Sequence, residues 1–275
     1  MFFLYLCADI RHIEMRYSGS KAKIAKYIIP FIMEELKEGY TYVEPFMGGC
    51  NILSEIDWPK KVGADSNGYV VALWNNLKII GDALPLPKDI SEDEYKIMKE
   101  LAEKGSCSVK YPRWLIGYAG NACSYGSAWF NGYAHFNEKR GENHIEEAYN
   151  GFWKQAKSFK NLQGTWFHRS DYKDLFSFYY HAFALSSSGS NKYVFYCDPP
   201  YRGTKGYGNE TFDHDEFWEW VRRMSKAGFK VLVSEYEAPD DFKCIWEFER
   251  KDGMGTTKCG CKQNTRVERL FVYDR

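Results

Sequence analysis

Residues 193–203 read YVFYCDPPYRG. An apolar run with the character of a buried strand stops at an acid, two prolines and a tyrosine. Asp198, Pro199, Pro200 and Tyr201 together offer a carboxylate, a stiffened backbone whose carbonyls keep one direction, and a ring able to stack on a planar base. That set suits attack by an exocyclic amine. Such an amine is a poor nucleophile because its lone pair is delocalised into the ring. Acceptors placed on its hydrogens favour a pyramidal nitrogen and expose the pair to an electrophile. The work required is charge stabilisation and alignment rather than proton removal by a strong base. For a methyl sulfonium donor, in-line displacement needs no metal.

A second set lies upstream. The turn PFMGGCN at 45–51 allows close backbone approach, because Gly48 and Gly49 accept conformations and proximities that a side chain forbids. By itself it fits a nucleotide-like cofactor or merely a tight turn from strand to helix. Asp65 lies 16 residues beyond Gly49, at the end of the next strand, where an acid commonly accepts ribose hydroxyls. The phosphate loop with its Gly-Lys-Ser/Thr ending is absent, which disfavours phosphoryl transfer and favours a nucleoside cofactor without phosphates. The histidines share no metal spacing. Cys259 and Cys261 have no second pair or His cluster beside them, so no metal is expected.

The elements that must hold these groups follow from periodicity. SKAKIAKYIIPFIMEELKE at 20–38 has apolar residues at helical spacing, a Ser20 cap, a Gly39 stop, and a kink or break expected at Pro30. TYVEPFMGGCNIL predicts a strand, a terminal acid, a glycine turn and a helix; KVGADSNGYVVALWNNLKII repeats the scheme with Asp65 as the acid. Two such units argue for a parallel α/β sheet, with ligands beyond the carboxyl ends of its strands. A helix starts near Ser91, an aromatic Gly/Asn-rich segment covers 111–136, and helix is expected again over 142–159. The α/β rhythm returns with a strand before Asp171 and a short helix after it. YVFYC and KVLVSEY read as strands, 213–226 as a helix, and CIWEFER with RVERLFVYD as a closing antiparallel pair.

Composition sets bounds. The 275 residues, 44% hydrophobic, suit one core with an insertion of about 75 residues between the second and third α/β units. No apolar run is long enough to cross a bilayer, no secretion signal is visible, and eight scattered cysteines suit reduced thiols in a cytoplasm. Net charge is zero, with 37 basic and 37 acidic side chains, so composition does not announce a nucleic-acid binder. Between Lys104 and Arg169 the balance shifts to nine basic against four acidic residues, interleaved with aromatics. A phosphate backbone with stackable bases and an ordinary solvated face over an aromatic core both fit that pattern.

DPPY at 198–201, PFMGG at 45–49 and YSGSK at 17–21 stand in one order over nearly the whole chain from Met15. In these motifs the sequence resembles the Dam-type DNA adenine methyltransferases, the D12 class of the alpha group. The resemblance implies a Rossmann-like S-adenosylmethionine-dependent methyltransferase sheet, formed by 15–85 and 161–275, with a mainly helical target-recognition insertion at 86–160. It implies that S-adenosylmethionine is contacted by Tyr17, Lys21 and the backbone around Phe46 and Gly48, with Asp65 at the ribose and Asp171 near the adenine ring. Asp198 would lie between cofactor and target amine, the Pro199 carbonyl would accept from that amine, and Tyr201 would stack on a flipped base. Tyr17 stands where Trp is commoner in the family, and Ser20 and Cys50 stand where glycine is. The segment 111–136 is closer to phage-encoded relatives than to GATC-reading members, which leaves the target sequence open.

The expected partner is double-stranded DNA, met by a monomer, with Ser124, Tyr125, Lys139 and Arg140 as candidate contacts. A cytosine N4 methyltransferase, an RNA or protein amide methyltransferase, and a catalytically silent DNA-binding relative are the alternatives. Asp198 argues against the first, because that group more often begins its tetrad with Ser. Intact Asp198, Tyr201, Lys21 and Asp65 argue against the last. Residues 1–14 match nothing in the family, so Met15 is expected to be the natural start or the extension to be dispensable.

Overall fold

The computed structural model describes residues 17–138, 141, 143–175, 177, 192–202, 212–251 and 265–274. Its centre is one seven-stranded sheet in the order β3-β2-β1-β4-β5-β7-β6. The strands are β1 (Thr41–Glu44), β2 (Lys61–Asp65), β3 (Thr165–Arg169), β4 (Tyr193–Cys197), β5 (Lys230–Glu235), β6 (Phe242–Lys251) and β7 (Thr265–Tyr273). The first five pair in parallel, and β7 lies antiparallel between β5 and β6. This is the doubly wound α/β sheet expected from the strand-acid-helix rhythm. Its order reverses between β1 and β4, which opens a crevice at their carboxyl ends.

Alternation along the strands feeds two cores. Tyr42, Tyr196, Leu232 and Leu270 face one side, where α1 (Ala25–Glu35) and α2 (Gly68–Ile80) pack. Val43, Phe195, Val231, Val233 and Phe271 face the other, covered by α6 (His214–Lys226) and the helical residues 172–175. The segment between β2 and β3 supplies α3 (Glu92–Glu103), α4 (Arg113–Ala122) and α5 (His144–Ser158). A capping box between Ser91 and Glu94 starts α3 where the sequence placed a helix start. These helices build no separate core: Tyr95, Met98, Ile116, Tyr118 and Phe152 join the cluster that holds Trp74 and Tyr42.

Three local expectations need correction. The first helix begins at Ala25, after Ile24, and Ser20 does not cap it. The Ser20 hydroxyl accepts from the Ala22 N–H at 3.2 Å, and Ser18 N–H donates to the Ser127 carbonyl at 3.0 Å. Those ties, with Lys21 buried beneath, hold 17–21 off the helix cylinder. Pro30 does not break α1, which runs through it; the residue is exposed, so water can serve the carbonyl its missing N–H leaves. The helix expected after PFMGGC is only a pair of turns through Ile56. Buried Lys61 donates to the Leu53 and Ile56 carbonyls at 2.8 and 2.9 Å and also to Lys160, so side-chain bonds end the turns. Burial brings this ammonium down to about 8.

The contact of α4 with α2 depends on one missing methyl group. A Cβ on Gly117 would stand 2.1 Å from the Tyr69 carbonyl oxygen, a backbone atom that cannot step aside. Gly117→Ala is expected to lower stability by about 1–3 kcal/mol in urea unfolding. Gly126→Ala, where the Cβ meets nothing within 4 Å, is expected to cost only the positive-φ strain of about 1–2 kcal/mol.

Candidate active site

Every parallel strand delivers a carboxylate to the same rim. Glu44, Asp65 and Glu235 are the last residues of β1, β2 and β5; Asp198 follows β4 directly, and Asp171 follows β3 by two. Glu44 and Glu235 are buried, Asp65 half-buried, and Asp171 exposed. Loss of water dominates the acidity of Glu44, Asp65, Asp198 and Glu235. Burial pushes Asp198 and Asp65 up to about 6 and Glu235 up to about 7, and raises Glu44 well above the carboxylate range. Glu44 keeps one oxygen, Oε2, buried without a hydrogen-bond partner.

At the crevice between β1 and β4 a buried ammonium answers this charge. Lys21 Nζ lies 3.0 Å from Asp198 Oδ1 and 3.8 Å from Glu268 Oε2, and donates to the Gly19 carbonyl at 3.3 Å. It also stands over the Tyr201 ring, 4.3 Å from the centroid. Burial alone would lower the lysine's pKa, but Asp198 and Glu268 outweigh it and the net shift is upward. The Tyr201 hydroxyl donates to Glu268 Oε2 at 2.9 Å, and the Tyr236 ring meets Tyr201 edge-on at 4.5 Å. Just beyond the tetrad, Glu235 accepts from the Arg202 and Tyr236 N–H groups at 2.7 and 2.6 Å, pinning the chain after Tyr201 to the end of β5.

The glycine turn forms the adjoining half. Gly48 has φ +41°, and a Cβ there would stand 2.6 Å from the Tyr17 ring; a Cβ on Gly49 would stand 2.8 Å from Tyr17 Cβ. The glycines thus let Tyr17 lie flat on the turn. Cys50, fully buried, is held at φ +56°, a conformation that favours the glycine common at this place. Asp65 braces the turn by accepting from Gly48 N–H at 3.0 Å and from Asn67 N–H at 2.8 Å. The turn's carbonyls are also clamped: Trp74 Nε1 donates to Gly48 O at 3.2 Å and Gln155 Nε2 to Gly49 O at 2.8 Å. Phe46 lies in an aromatic cluster, 5.4 Å from Tyr172, which follows Asp171 in the chain, and 5.7 Å from Phe217.

The structure therefore brings Lys21, Asp198 and Tyr201 into one cluster, and Tyr17, Gly48 and Asp65 into another on the same rim. The expected DNA contacts divide. Ser124 is buried, its hydroxyl donating to Gly120 O at 2.8 Å and sharing a 2.7 Å bond with Tyr95, so its polar atom is spent inside. Tyr125 is 66% exposed on a short 3-10 turn, next to Ser127, which anchors Ser18. Lys139 and Arg140, like the 1–14 extension and the Cys259–Cys261 pair, lie outside the described residues. Among the described residues no cluster of His, Cys, Asp and Glu could hold a metal, and no helix is long and apolar enough to cross a membrane.

Glu268, Glu235, Trp74 and Gln155 escape sequence reasoning, although two left a trace. Gln155 is a polar residue in the stripe Ile145, Ala148, Phe152 of α5, and Glu268 shares a strand face with Leu270. A polar group on a buried face needs a partner, and that demand was legible without naming the partner.

A doubly wound sheet whose switch point carries a braced glycine turn and buried acids belongs to the ligand-binding α/β enzymes. The family model described as D12 class N6 adenine-specific DNA methyltransferase matches residues 17–249. The chain belongs to this family, and with it to the enzymes that methylate adenine in DNA. The DNA adenine methylases of Salmonella typhi and Salmonella typhimurium are each 25% identical over 221 residues, covering 78% of this chain and 73% of theirs. Two structures of the rRNA methyltransferase aviRa from Streptomyces viridochromogenes align with a TM-score of 0.37. They are 12% and 11% identical and cover 92% and 96% of this chain, and 84% and 89% of theirs. That likeness is too distant to bear on the substrate.

The acids at the rim predict a pH response. A carboxyl group whose pKa is raised by folding binds protons that the unfolded chain has already released, so stability falls as pH rises through its window. For Asp198, Asp65 and Glu235 that window runs from about pH 4 to 7. Asp241, held low by Arg222, acts in the opposite direction but below it, whereas His168 and His214, which burial lowers, offset part of the fall within it. The urea midpoint is expected to drop between pH 5 and 7.5, and Asp198→Asn, which removes one of the titrations, to flatten the drop.

Proposed function

We propose that the protein transfers a methyl group from S-adenosylmethionine to the N6 amine of an adenine flipped out of duplex DNA. The observation that carries this reading is the convergence of Lys21, Asp198 and Tyr201 at the switch point, from segments 177 residues apart. The donor set fits the cofactor. A rim of acids repels phosphates and attracts a cation, while Asp65, whose oxygens each take one N–H, keeps lone pairs for ribose hydroxyls. Tyr17, Lys21, the Phe46–Gly48 backbone and Asp171 would complete the cofactor site. When bound, S-adenosylmethionine supplies a methyl group on positively charged sulfur.

The chain's own residues supply the rest. Asp198 and the Pro199 carbonyl accept the two amine hydrogens, with Pro200 stiffening the segment, so the nitrogen's lone pair turns toward the methyl group. Asp198, pushed up to about 6, is basic enough to take the proton that the methylated amine sheds. Lys21 holds Asp198 Oδ1 and must yield the face of Tyr201 to the base, since ammonium and adenine cannot share one ring face. Residues 86–160 would read the target, with Tyr125 as an exposed aromatic and Lys139 and Arg140 as phosphate contacts, while 15–85 and 161–275 carry the chemistry. The enzyme would act as a monomer, because one site modifies one strand per turnover.

The test is transfer of labelled methyl to unmethylated duplex DNA, followed by nucleoside analysis. Wild-type protein is expected to form N6-methyladenine, and Asp198→Ala to lose activity on the order of 10²–10³-fold. Cofactor bound by calorimetry without any methyl reaching DNA would sink the reading. In the same calorimetry Asp65→Asn is expected to weaken cofactor binding about tenfold, roughly the worth of one hydrogen bond to a charged group.

A further inference from the structure

Glu268 lies beyond the matched residues 17–249, 67 positions from Tyr201, and sequence motifs gave it no role. Its placement is a product of topology. Because β7 runs antiparallel, its early residues lie at the rim where the parallel strands end, and Arg269 pairs with Glu235, the last residue of β5. Glu268 therefore stands one step past the end of β5, on the face it shares with Leu270, with its side chain 7% exposed. A glutamate there costs desolvation unless it is matched. It is matched by two members of the candidate active site: the Tyr201 hydroxyl at 2.9 Å and the Lys21 ammonium at 3.8 Å.

We propose that Glu268 is a positioning residue for methyl transfer: by holding the Tyr201 hydroxyl and drawing Lys21 partly off Asp198, it sets the stacking ring and keeps the carboxylate able to accept the target amine. The inference rests on the adenine reading of the site. Tyr201 turns about its side-chain bonds, and the hydroxyl contact with Glu268 fixes the plane on which a base would stack. Lys21 lies between two anions, closer to Asp198. Without the second anion its ammonium would settle wholly on Asp198, and the acceptor that aligns the amine would be neutralised. Tyr236, edge-on to Tyr201, completes the support and is held in turn by Glu235 through its backbone N–H. Glu268 touches neither reacting atom, so its removal should slow the chemical step and leave cofactor binding in place.

The experiment compares Glu268→Gln, Glu268→Ala, Tyr201→Phe and the double variant Tyr201→Phe/Glu268→Gln with wild type. Glu247→Gln, on the exposed side of β6, serves as a control. Labelled methyl transfer to duplex DNA gives kcat and the cofactor KM, and thermal unfolding shows that each protein is folded. Glu268→Gln keeps the shape and an acceptor, so it carries the test if Glu268→Ala does not fold. Both Glu268 variants are expected to lower kcat at least tenfold with the cofactor KM within about twofold of wild type. The double variant is expected to lose less than the product of the two single losses, since Tyr201→Phe removes the hydroxyl whose contact Glu268→Gln weakens from a charged to a neutral acceptor. An adenine analogue at the target that fluoresces on unstacking should report a smaller change with the Glu268 variants. Unchanged kcat, a loss confined to the cofactor KM, or additive losses in the double variant would overturn the role of Glu268 while leaving the adenine reading intact. Absence of N6-methyladenine with wild-type protein would instead overturn the reading itself.

Discussion

The site depends on a concentration of like charge that the fold creates and must then neutralise. Parallel strands point their carboxyl ends the same way, and in this chain each of the five ends in or near an acid, so Glu44, Asp65, Asp171, Asp198 and Glu235 share one rim. Burial alone would press Glu44, Asp65, Asp198 and Glu235 toward their protonated forms, and one inserted ammonium relieves the centre of that field. Lys21 comes from a segment that is kept out of the first helix to deliver it, which is why YSGSK forms turns rather than a helical start. Under the proposed reading, the same field favours a cationic cofactor over a phosphate-bearing one.

Rigidity around this charge comes from bonds that cross the whole molecule. The glycine turn is braced by Asp65 from β2, by Trp74 from α2 and by Gln155 from α5, 106 positions away from Gly49. The helices between β2 and β3 thus do more than extend a surface. They share the sheet's core, close against α2 through Gly117, and hold the backbone on which Tyr17 lies. A change in the packing of α5 would therefore reach the glycine turn through Gln155, which donates to the Gly49 carbonyl. On the other side of the crevice, Glu235 and Glu268 tie the tetrad and the residue after it to β5 and β7, so these strands also shape the candidate site.

Much of the architecture was legible because strand and helix periods are local. The closing pair β6 and β7, the capping box at Ser91 and Glu94, and the strand that ends at Asp198 follow from alternation and cap chemistry within ten residues. Two of the failures share one cause. Ser20 did not cap, and the turn after PFMGGC did not grow into a helix, because distant partners, Asp198 for Lys21 and the carbonyls around Lys61, outbid local preference. Ser124 looked like a surface hydroxyl in a Gly/Asn-rich stretch, but the isolated bridge from Ser124 to Tyr133 folds that stretch back on itself and turns the hydroxyl toward Tyr95.

What the sequence determined by itself was the inventory and its order: a motif with a lysine, a glycine turn, an acid at or just after the first four parallel strands, and a stiffened acid-and-aromatic tetrad. Those follow from residue type and short spacing, which act through the backbone within a few residues. Only the tertiary structure decided which groups meet. Lys21 with Asp198, Tyr201 with Glu268, and Gln155 with Gly49 are pairs separated by 177, 67 and 106 positions. The order of strands in the sheet brings them together, and burial makes each contact strong enough to set the charge and orientation of its neighbours.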